Sequence, residues 1–285
     1  MTKDESLLKL KKDLMIRRYS LGTVHRYLYV VDRFLNYKND KSVEELNEYD
    51  VIEYLSFLTS ERNYKPSSYN NINAILKFFL ETTLEKNIGY KRLPNAKLEV
   101  RLKITPSREL ILKILKATKN LKHKCWYSLA YGSGLRTCEI AKLKVKDIDS
   151  KNMKIRVIGK GNKERLTVLS KYSLDLLLQY CRKYNITKND IYLFKGEKKE
   201  HIHESSISRS FRDLGKRLNI DSRVTIHSLR RSFATHLLRM GVDIETVKEL
   251  MGHNSITTTS SYAQVVYVEK EIKNPLDSES YEICN

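Results

Sequence analysis

The sequence predicts a mainly α-helical protein with an N-terminal four-helix domain and a larger α-rich domain that contains a small β-hairpin. Three observations predict this fold class. Apolar residues recur at helical spacing through residues 1–93, a polar stretch bracketed by prolines follows, and the helical pattern resumes at residue 107 with one interruption by two short alternating runs. Because 41% of the 285 residues are hydrophobic, each domain can bury a core.

Apolar spacing places four helices in the first domain, residues 1–93. Connections between them are short, which favours a small bundle. The helices are predicted around Leu7, Leu10 and Leu14, at residues 23–37, at residues 51–58 after Asp50 as N-cap, and at residues 67–84 after Pro66.

Pro94 and Pro106 enclose a polar stretch with little helical amphipathicity. We interpret residues 94–106 as a linker between domains, with an ordinary surface loop as the alternative. The second domain then covers residues 107–285. Its two alternating runs, residues 154–158 and 165–169, flank the sequence GKGNKE and predict a β-hairpin.

The charge is strongly positive and unevenly distributed. The net charge is +19; residues 1–93 carry +3 and the remainder carries +16. Such a field attracts polyanions, so DNA, RNA and the ribosome are all candidate partners. We expect a cytosolic protein without a membrane span, because the sequence has neither a long apolar run nor a secretory signal. If its polyanionic partner is DNA, we expect it to be associated with the nucleoid.

Two polar pairs occur in segments that predict helices. Arg136 and Glu139 follow two glycines in YGSGLRTCEIAKL and are three residues apart, which predicts a shared helix face. His227 and Arg230 have the same spacing in IHSLRRSFATHLL, where Leu229, Phe233 and Leu237 predict the core face and His236 a packing or capping role. An exposed Arg and His together suit phosphate recognition, whereas taken singly each pair also fits a surface ion pair or a solvated face.

Three further residues are candidates only in combination with these pairs. Lys160 lies at the tip of the predicted hairpin, His253 follows Gly252 at a helix break, and Tyr262 lies nine residues further on. A turn lysine and a tyrosine are usually structural. The pair His201 and His203 suggests a metal only weakly, and the four cysteines form no CxxC pair, so we expect neither a metal site nor a dithiol redox motif.

Four motifs together resemble the tyrosine recombinases and phage-type integrases: GSGLRTCEIAKL, VIGKGNKERLTVL, HSLRRSFATHLL and MGHNSITTTSSYAQV. The first domain is similar to the family's core-binding domain. The compact length resembles the Xer recombinases, and VEKEIKNPLD resembles archaeal Xer proteins. Arg231 departs from the family pattern, where a second His is common.

The resemblance implies a nucleophilic Tyr262, phosphate binding by Arg136, Arg230 and His253, and proton donation by Lys160. It also implies acid–base assistance by His227 and a supporting role for Glu139. The implied partners are double-stranded DNA with paired inverted-repeat sites and a homo-tetramer, in which the tail after Tyr262 docks on a neighbour or on its own subunit. No cofactor is implied.

Several functions remain open within and beside this family. Xer-like chromosome dimer resolution and integration of a mobile element use the same chemistry. A type IB topoisomerase shares the nucleophile but exchanges no partners, and a degenerate member would bind DNA without cutting it.

Overall fold

The computed structural model describes residues 1–88, 93–98, 104–159, 164–188, 191–196 and 200–252. The chain divides into two compact units, residues 1–101 and residues 102–285. Helices dominate both units and the second unit adds a small antiparallel sheet, so the predicted fold class is confirmed. No helix within the described ranges is long and apolar enough to cross a lipid bilayer.

The first unit is built from helices that pack around one apolar core. Its helices are α1 (Lys3–Ile16), α2 (Leu21–Tyr37), α3 (Glu48–Ser60) and α4 (Pro66–Phe78), and α4 continues as a π-helical turn over Phe79–Thr83. The fully buried side chains of this core include Leu10, Leu14, Val31, Phe34, Val51, Leu76, Phe79 and Leu80.

Helix α3 begins earlier than the sequence predicts because a different residue caps it. The side chain of Asn47 accepts a hydrogen bond from the backbone N–H of Tyr49 at 2.9 Å. Asp50, the predicted N-cap, lies inside the first turn, and its carboxylate accepts the backbone N–H of Asn47 at 2.9 Å. The two side chains together satisfy donors that a helix start leaves without partners.

The predicted linker, residues 94–106, is attached to each unit at its described ends. In the first unit the side chain of Asn70 pairs with both backbone groups of Ala96, at 2.7 and 3.0 Å. In the second unit Arg231 donates to the carbonyl of Ile104 at 2.8 Å, and the hydroxyl of Ser232 donates to that of Pro106 at 2.8 Å. Arg231, the departure from the family pattern, therefore holds the chain where it enters the second unit.

The second unit packs helices and a three-stranded sheet around its own core. Its elements are α5 (Arg108–Ala117), α6 (Leu121–Gly132), α7 (Thr137–Ala141), β1 (Ile148–Asp149), β2 (Lys154–Ile158), β3 (Glu164–Val168), α8 (Lys171–Lys183), α9 (Glu204–Arg217), α10 (Ile226–Arg239) and α11 (Ile244–Met251). The two predicted strands correspond to β2 and β3, whereas β1 is too short to leave a sequence pattern.

Strand β3 has an inverted pattern of polarity. It pairs antiparallel with β2, so that Arg165 lies opposite Val157 and Thr167 lies opposite Ile155, and Val157 and Ile155 are buried. Arg165 and Thr167 therefore face inward with them, and Leu166 faces solvent with 56% of its surface exposed. The hydroxyl of Thr167 donates to the carbonyl of Ser133 at 2.9 Å, which ties β3 to the loop after α6.

Candidate active site

The loop between α6 and α7 places Arg136 at the start of a short helix. Arg136 is the N-cap of α7 rather than a residue on its face, so the predicted shared helix face is wrong. Glu139 lies three residues on, and its Oε2 accepts the backbone N–H of Arg136 at 2.8 Å. The predicted pairing is present, because Nη1 of Arg136 also donates to Oε1 at 2.8 Å.

Gly134 is required by both its backbone conformation and its surroundings. Its φ of +63° lies in the left-handed region, and a Cβ there would come within 2.5 Å of the Phe233 ring. The close approach of backbone to ring brings the carbonyl of Gly134 to Arg230, whose Nη1 donates to it. The α6–α7 loop and helix α10 are thereby held together.

Helix α10 presents its residues differently from the sequence prediction at one position. Leu229 and Phe233 are buried and Leu237 is partly buried, as predicted, and His236 packs against Tyr131 with a 3.0 Å hydrogen bond. Arg230, however, is buried, so the prediction that it shares an exposed face with His227 is wrong. The reason is that its guanidinium is taken up by backbone carbonyls inside the unit.

Three arginines from separate parts of the chain meet at the carboxylate of Glu139. Arg165 of β3 donates to both carboxylate oxygens at 2.8 Å each, Arg136 donates at 2.8 Å, and Nη1 of Arg230 lies 3.6 Å from Oε2. Burial opposes the charge of Glu139, but the hydrogen bond and charge of Arg165, the backbone N–H of Arg136 and the charge of Arg230 outweigh it. They lower the pKa of Glu139 to about 2.

The same three arginines bind the end of helix α11. Arg165 Nε donates to the carbonyl of Leu250 at 2.9 Å, Arg230 donates to that of Met251, and Arg136 Nη2 donates to that of Gly252 at 3.3 Å. These are the carbonyls that a helix end leaves without partners, and they carry the negative end of the helix dipole. Gly252 ends the helix with a φ of +60°.

The three arginines differ in how far they reach solvent. The side chain of Arg136 is 34% exposed, against 10% for Arg165 and 6% for Arg230. A substrate anion can therefore approach Arg136 directly, whereas the other two guanidiniums lie behind it and set the charge and shape of the cluster.

His227 lies one turn before Arg230, at the exposed start of α10. Its ring is partly shielded from water, which disfavours its charged form and lowers its pKa. The positive charges of Arg230, Arg231 and Arg136 act in the same direction, and Glu204 acts against them. A neutral imidazole can accept a proton or a hydrogen bond, as the predicted acid–base role requires.

Three of the predicted residues, Lys160, His253 and Tyr262, lie outside the described residues, as does the tail that follows Tyr262. Along the chain, Lys160 falls between the end of β2 and the start of β3, and His253 directly follows Gly252, the C-cap of α11.

The histidine pair of the HIH sequence has structural partners. His201 Nδ1 lies 2.8 Å from the carbonyl of Ile202, and His203 caps α9 by accepting the backbone N–H of Ser205 at 3.2 Å. Among the described residues, no group of three or more potential metal ligands comes together.

Sequence reasoning missed Arg165. It lies in an alternating run whose apolar members, Leu166 and Val168, predict the buried face, but these two residues face solvent. The available signal was the alternation itself, which places Arg165 on the same face as Thr167 and Leu169.

The helical architecture and a buried carboxylate that organises several arginines define a catalytic unit suited to phosphoryl chemistry. Residues 107–269 match the model of the phage integrase family, and residues 7–90 match that family's N-terminal SAM-like domain. The chain belongs to the phage integrase family and is a tyrosine site-specific recombinase, which confirms the resemblance seen in the motifs.

Individual relatives agree with this assignment. The chain is 32% identical over 267 residues to a tyrosine recombinase of Thermosipho africanus, covering 90% of this chain and 93% of that protein. It is 30% identical over 251 residues to the tyrosine recombinase XerA of Pyrococcus horikoshii, covering 86% and 84%. Its fold matches the crystal structure of the XerH recombinase bound to a palindromic difH substrate, with a TM-score of 0.71, 23% identity and coverage of 87% and 78%.

Proposed function

We propose that this chain cuts and rejoins DNA strands through a covalent bond between Tyr262 and a 3′ phosphate. The observation that carries the proposal is the cluster of three guanidiniums around one carboxylate, that of Glu139. Three positive charges against one negative charge leave a surplus that a scissile phosphate can neutralise. Arg136, the most exposed of the three, is the group that contacts its non-bridging oxygens first.

The proposed reaction conserves the energy of the phosphodiester. The Tyr262 oxygen forms a bond to phosphorus and the bond to the 5′ oxygen breaks, while Lys160 supplies the proton that the leaving oxygen takes up. Arg136, Arg230 and His253 stabilise the charge that builds on the non-bridging oxygens. His227 assists as acid or base around Tyr262: it takes up the phenol proton as Tyr262 attacks and returns it when Tyr262 is released, and Glu139 orients Arg136. In the second step a 5′ hydroxyl of another strand attacks the phosphotyrosyl bond and releases Tyr262.

The proposed partner is double-stranded DNA with paired inverted repeats, bound by four copies of the chain whose tails after Tyr262 dock on neighbours. The DNA-bound XerH neighbour supports the choice of DNA, and so does the charge of +16 on residues 94–285. Because each neutralised phosphate releases counterions, the affinity should fall steeply as salt rises.

For the biological role we propose chromosome dimer resolution, which the similarity to XerA supports. Integration of a mobile element is the alternative, since the matching family is named for integrases. Genome-wide capture of covalently attached DNA separates the two roles. A single site near the replication terminus supports resolution, and sites that flank an element support integration.

Covalent capture also tests the chemistry. The chain is incubated with duplexes that carry a randomised central region and a nick, and DNA that remains attached to denatured protein is recovered and enriched. The parent chain and Tyr267→Phe, a matched control in the same segment, should form adducts, and Tyr262→Phe should form none. Adducts with Tyr262→Phe would overturn the assignment of the nucleophile.

Strand exchange separates a recombinase from a type IB topoisomerase and from a DNA-binding protein without activity. Joining of strands from two different enriched duplexes is the expected result. Relaxation of supercoils without such joining indicates the topoisomerase, and binding without adducts indicates the inactive protein.

A further inference from the structure

Arg165 is an inward-facing charged residue on strand β3 of the catalytic unit. Its side chain is 10% exposed, and the residue pairs across the sheet with the buried Val157. Burying a charge on a sheet face is costly unless specific partners compensate it. A buried arginine at this position therefore indicates specific partners, or a function, that offset the cost of burial.

All three guanidinium nitrogens of Arg165 have partners within the unit. Nη1 and Nη2 each donate to one oxygen of Glu139 at 2.8 Å, and Nε donates to the carbonyl of Leu250 at 2.9 Å. This planar fork matches a carboxylate with two parallel bonds, which a lysine cannot reproduce. Because these nitrogens are engaged and the side chain is nearly buried, Arg165 is poorly placed to bind DNA itself.

Gly252 shows how closely Arg165 is packed against the end of helix α11. A Cβ at Gly252 would lie 2.7 Å from Cδ of Arg165 and 3.1 Å from its Nε. The absence of a side chain at residue 252 thus lets Arg165 pass beside the helix end and reach Glu139.

We propose that Arg165 is a positioning residue that fixes the Glu139 carboxylate, and through it the guanidinium of Arg136, for attack on the scissile phosphate. The proposal rests on the proposed function. Glu139 has two oxygens to share among three guanidiniums, and of these three only the guanidinium of Arg165 binds both oxygens with short bonds. Without Arg165 the carboxylate keeps the backbone N–H of Arg136 on one oxygen but can turn about that bond. The guanidinium of Arg136 then loses the geometry set by its bonds to Glu139 and to the Gly252 carbonyl.

The first test measures single-turnover cleavage of the enriched nicked duplex at saturating protein. Arg165→Gln should lower the cleavage rate about 10- to 100-fold, by analogy with the loss seen when a residue that orients a metal ligand is removed. Its affinity for the duplex should change less than about 3-fold, because the contacts to DNA remain. Arg165→Lys should restore little, since it returns the charge without the fork.

Arg156→Gln is the matched control. Arg156 lies on the neighbouring strand β2 and also binds a buried carboxylate, with Nη2 at 2.8 Å from Asp147, but it makes no contact with Glu139. It should keep the parent rate. Fluorescence of Trp126, which is buried in the same unit, identifies any variant that fails to fold; if Arg165→Gln fails to fold, Arg165→Lys carries the test.

A neutral substrate distinguishes positioning from general damage. Arg136 acts on the negative charge of the phosphate, and a methylphosphonate lacks that charge. With a methylphosphonate at the scissile position, the cleavage rate of Arg165→Gln should therefore approach that of the parent chain. In a double-mutant cycle, adding Arg165→Gln to Glu139→Gln should cost little beyond the Glu139 change. The proposal would be overturned by an equal loss of cleavage rate on both substrates, by additive effects of the two substitutions, or by full activity of Arg165→Lys.

Failure of the parent chain to form any covalent adduct is a different result, which refutes the proposed function and the role of Arg165 with it.

Discussion

The carboxylate of Glu139 holds Arg136 by two bonds at once, one to its backbone N–H and one to its guanidinium, each 2.8 Å long. The first bond caps helix α7, and the second directs the side chain that reaches solvent. The cap of helix α7 and the orientation of the Arg136 side chain therefore depend on the same carboxylate, and a substitution of Glu139 affects both.

Replacing Glu139 should make the free energy of unfolding less dependent on pH in the acidic range. The folded carboxyl has a pKa of about 2 against an ordinary value of 4.5. Because the pKa is lower in the folded state, the ionised carboxylate contributes about 3 kcal/mol to the free energy of unfolding by proton linkage. This contribution is fully present above pH 4.5 and is lost as the pH falls towards 2. Glu139→Gln should be less stable than the parent at pH 6, and the difference should narrow between pH 5 and pH 2. Urea denaturation at several pH values measures this, and a constant difference would contradict the assigned pKa.

Replacing Gly134 should destabilise the catalytic unit. Gly134→Ala places a Cβ within 2.5 Å of the Phe233 ring at a φ of +63°. Strain and overpacking together should lower the free energy of unfolding by about 3 kcal/mol. Gly22→Ala in helix α2 is the matched control, since nothing lies within 4 Å of its Cβ, and it should raise stability by up to about 1 kcal/mol. Equal effects of the two changes would contradict the packing described at Gly134.

The pKa of His227 should respond in opposite directions to two neighbouring charges. Arg231 lowers this pKa and Glu204 raises it. Arg231→Met should therefore raise the pKa and Glu204→Gln should lower it, as measured by NMR titration of the ring with the signal assigned through His227→Gln. Movement in the same direction in both variants would show that the ring does not sense these charges.

The sequence predicted well those elements whose pattern reflects burial. The apolar spacing of Leu10 and Leu14 and the alternation of β2 carry the same information as the folded structure, because in both cases the apolar residues face the core. Spacing alone failed at Arg230. Periodicity places this residue on the polar face of α10, but its guanidinium is buried because it donates to backbone carbonyls that are distant in sequence. Arg165 was missed for the related reason that its strand turns Leu166 and Val168 outward.

The candidate site was predicted as a set of residues but not as a network. The motifs indicated Arg136, Glu139 and Arg230, and all three meet in the structure. Their common partner at the end of helix α11 consists of backbone carbonyls, which have no sequence signature. Interactions with main-chain atoms are invisible to motif reasoning for that reason.

The attachment of the α11 end to three arginines limits how the recombinase can be divided into working fragments. A piece that stopped at residue 249 would retain every arginine of the cluster, yet it would lose the carbonyls of residues 250–252 that accept their hydrogen bonds. The three guanidiniums would then lie close together, with little water around them and only the Glu139 carboxylate to offset their charge. Split or inducible versions of this protein should therefore be cut elsewhere, with helix α11 kept on the same piece as α7, β3 and α10.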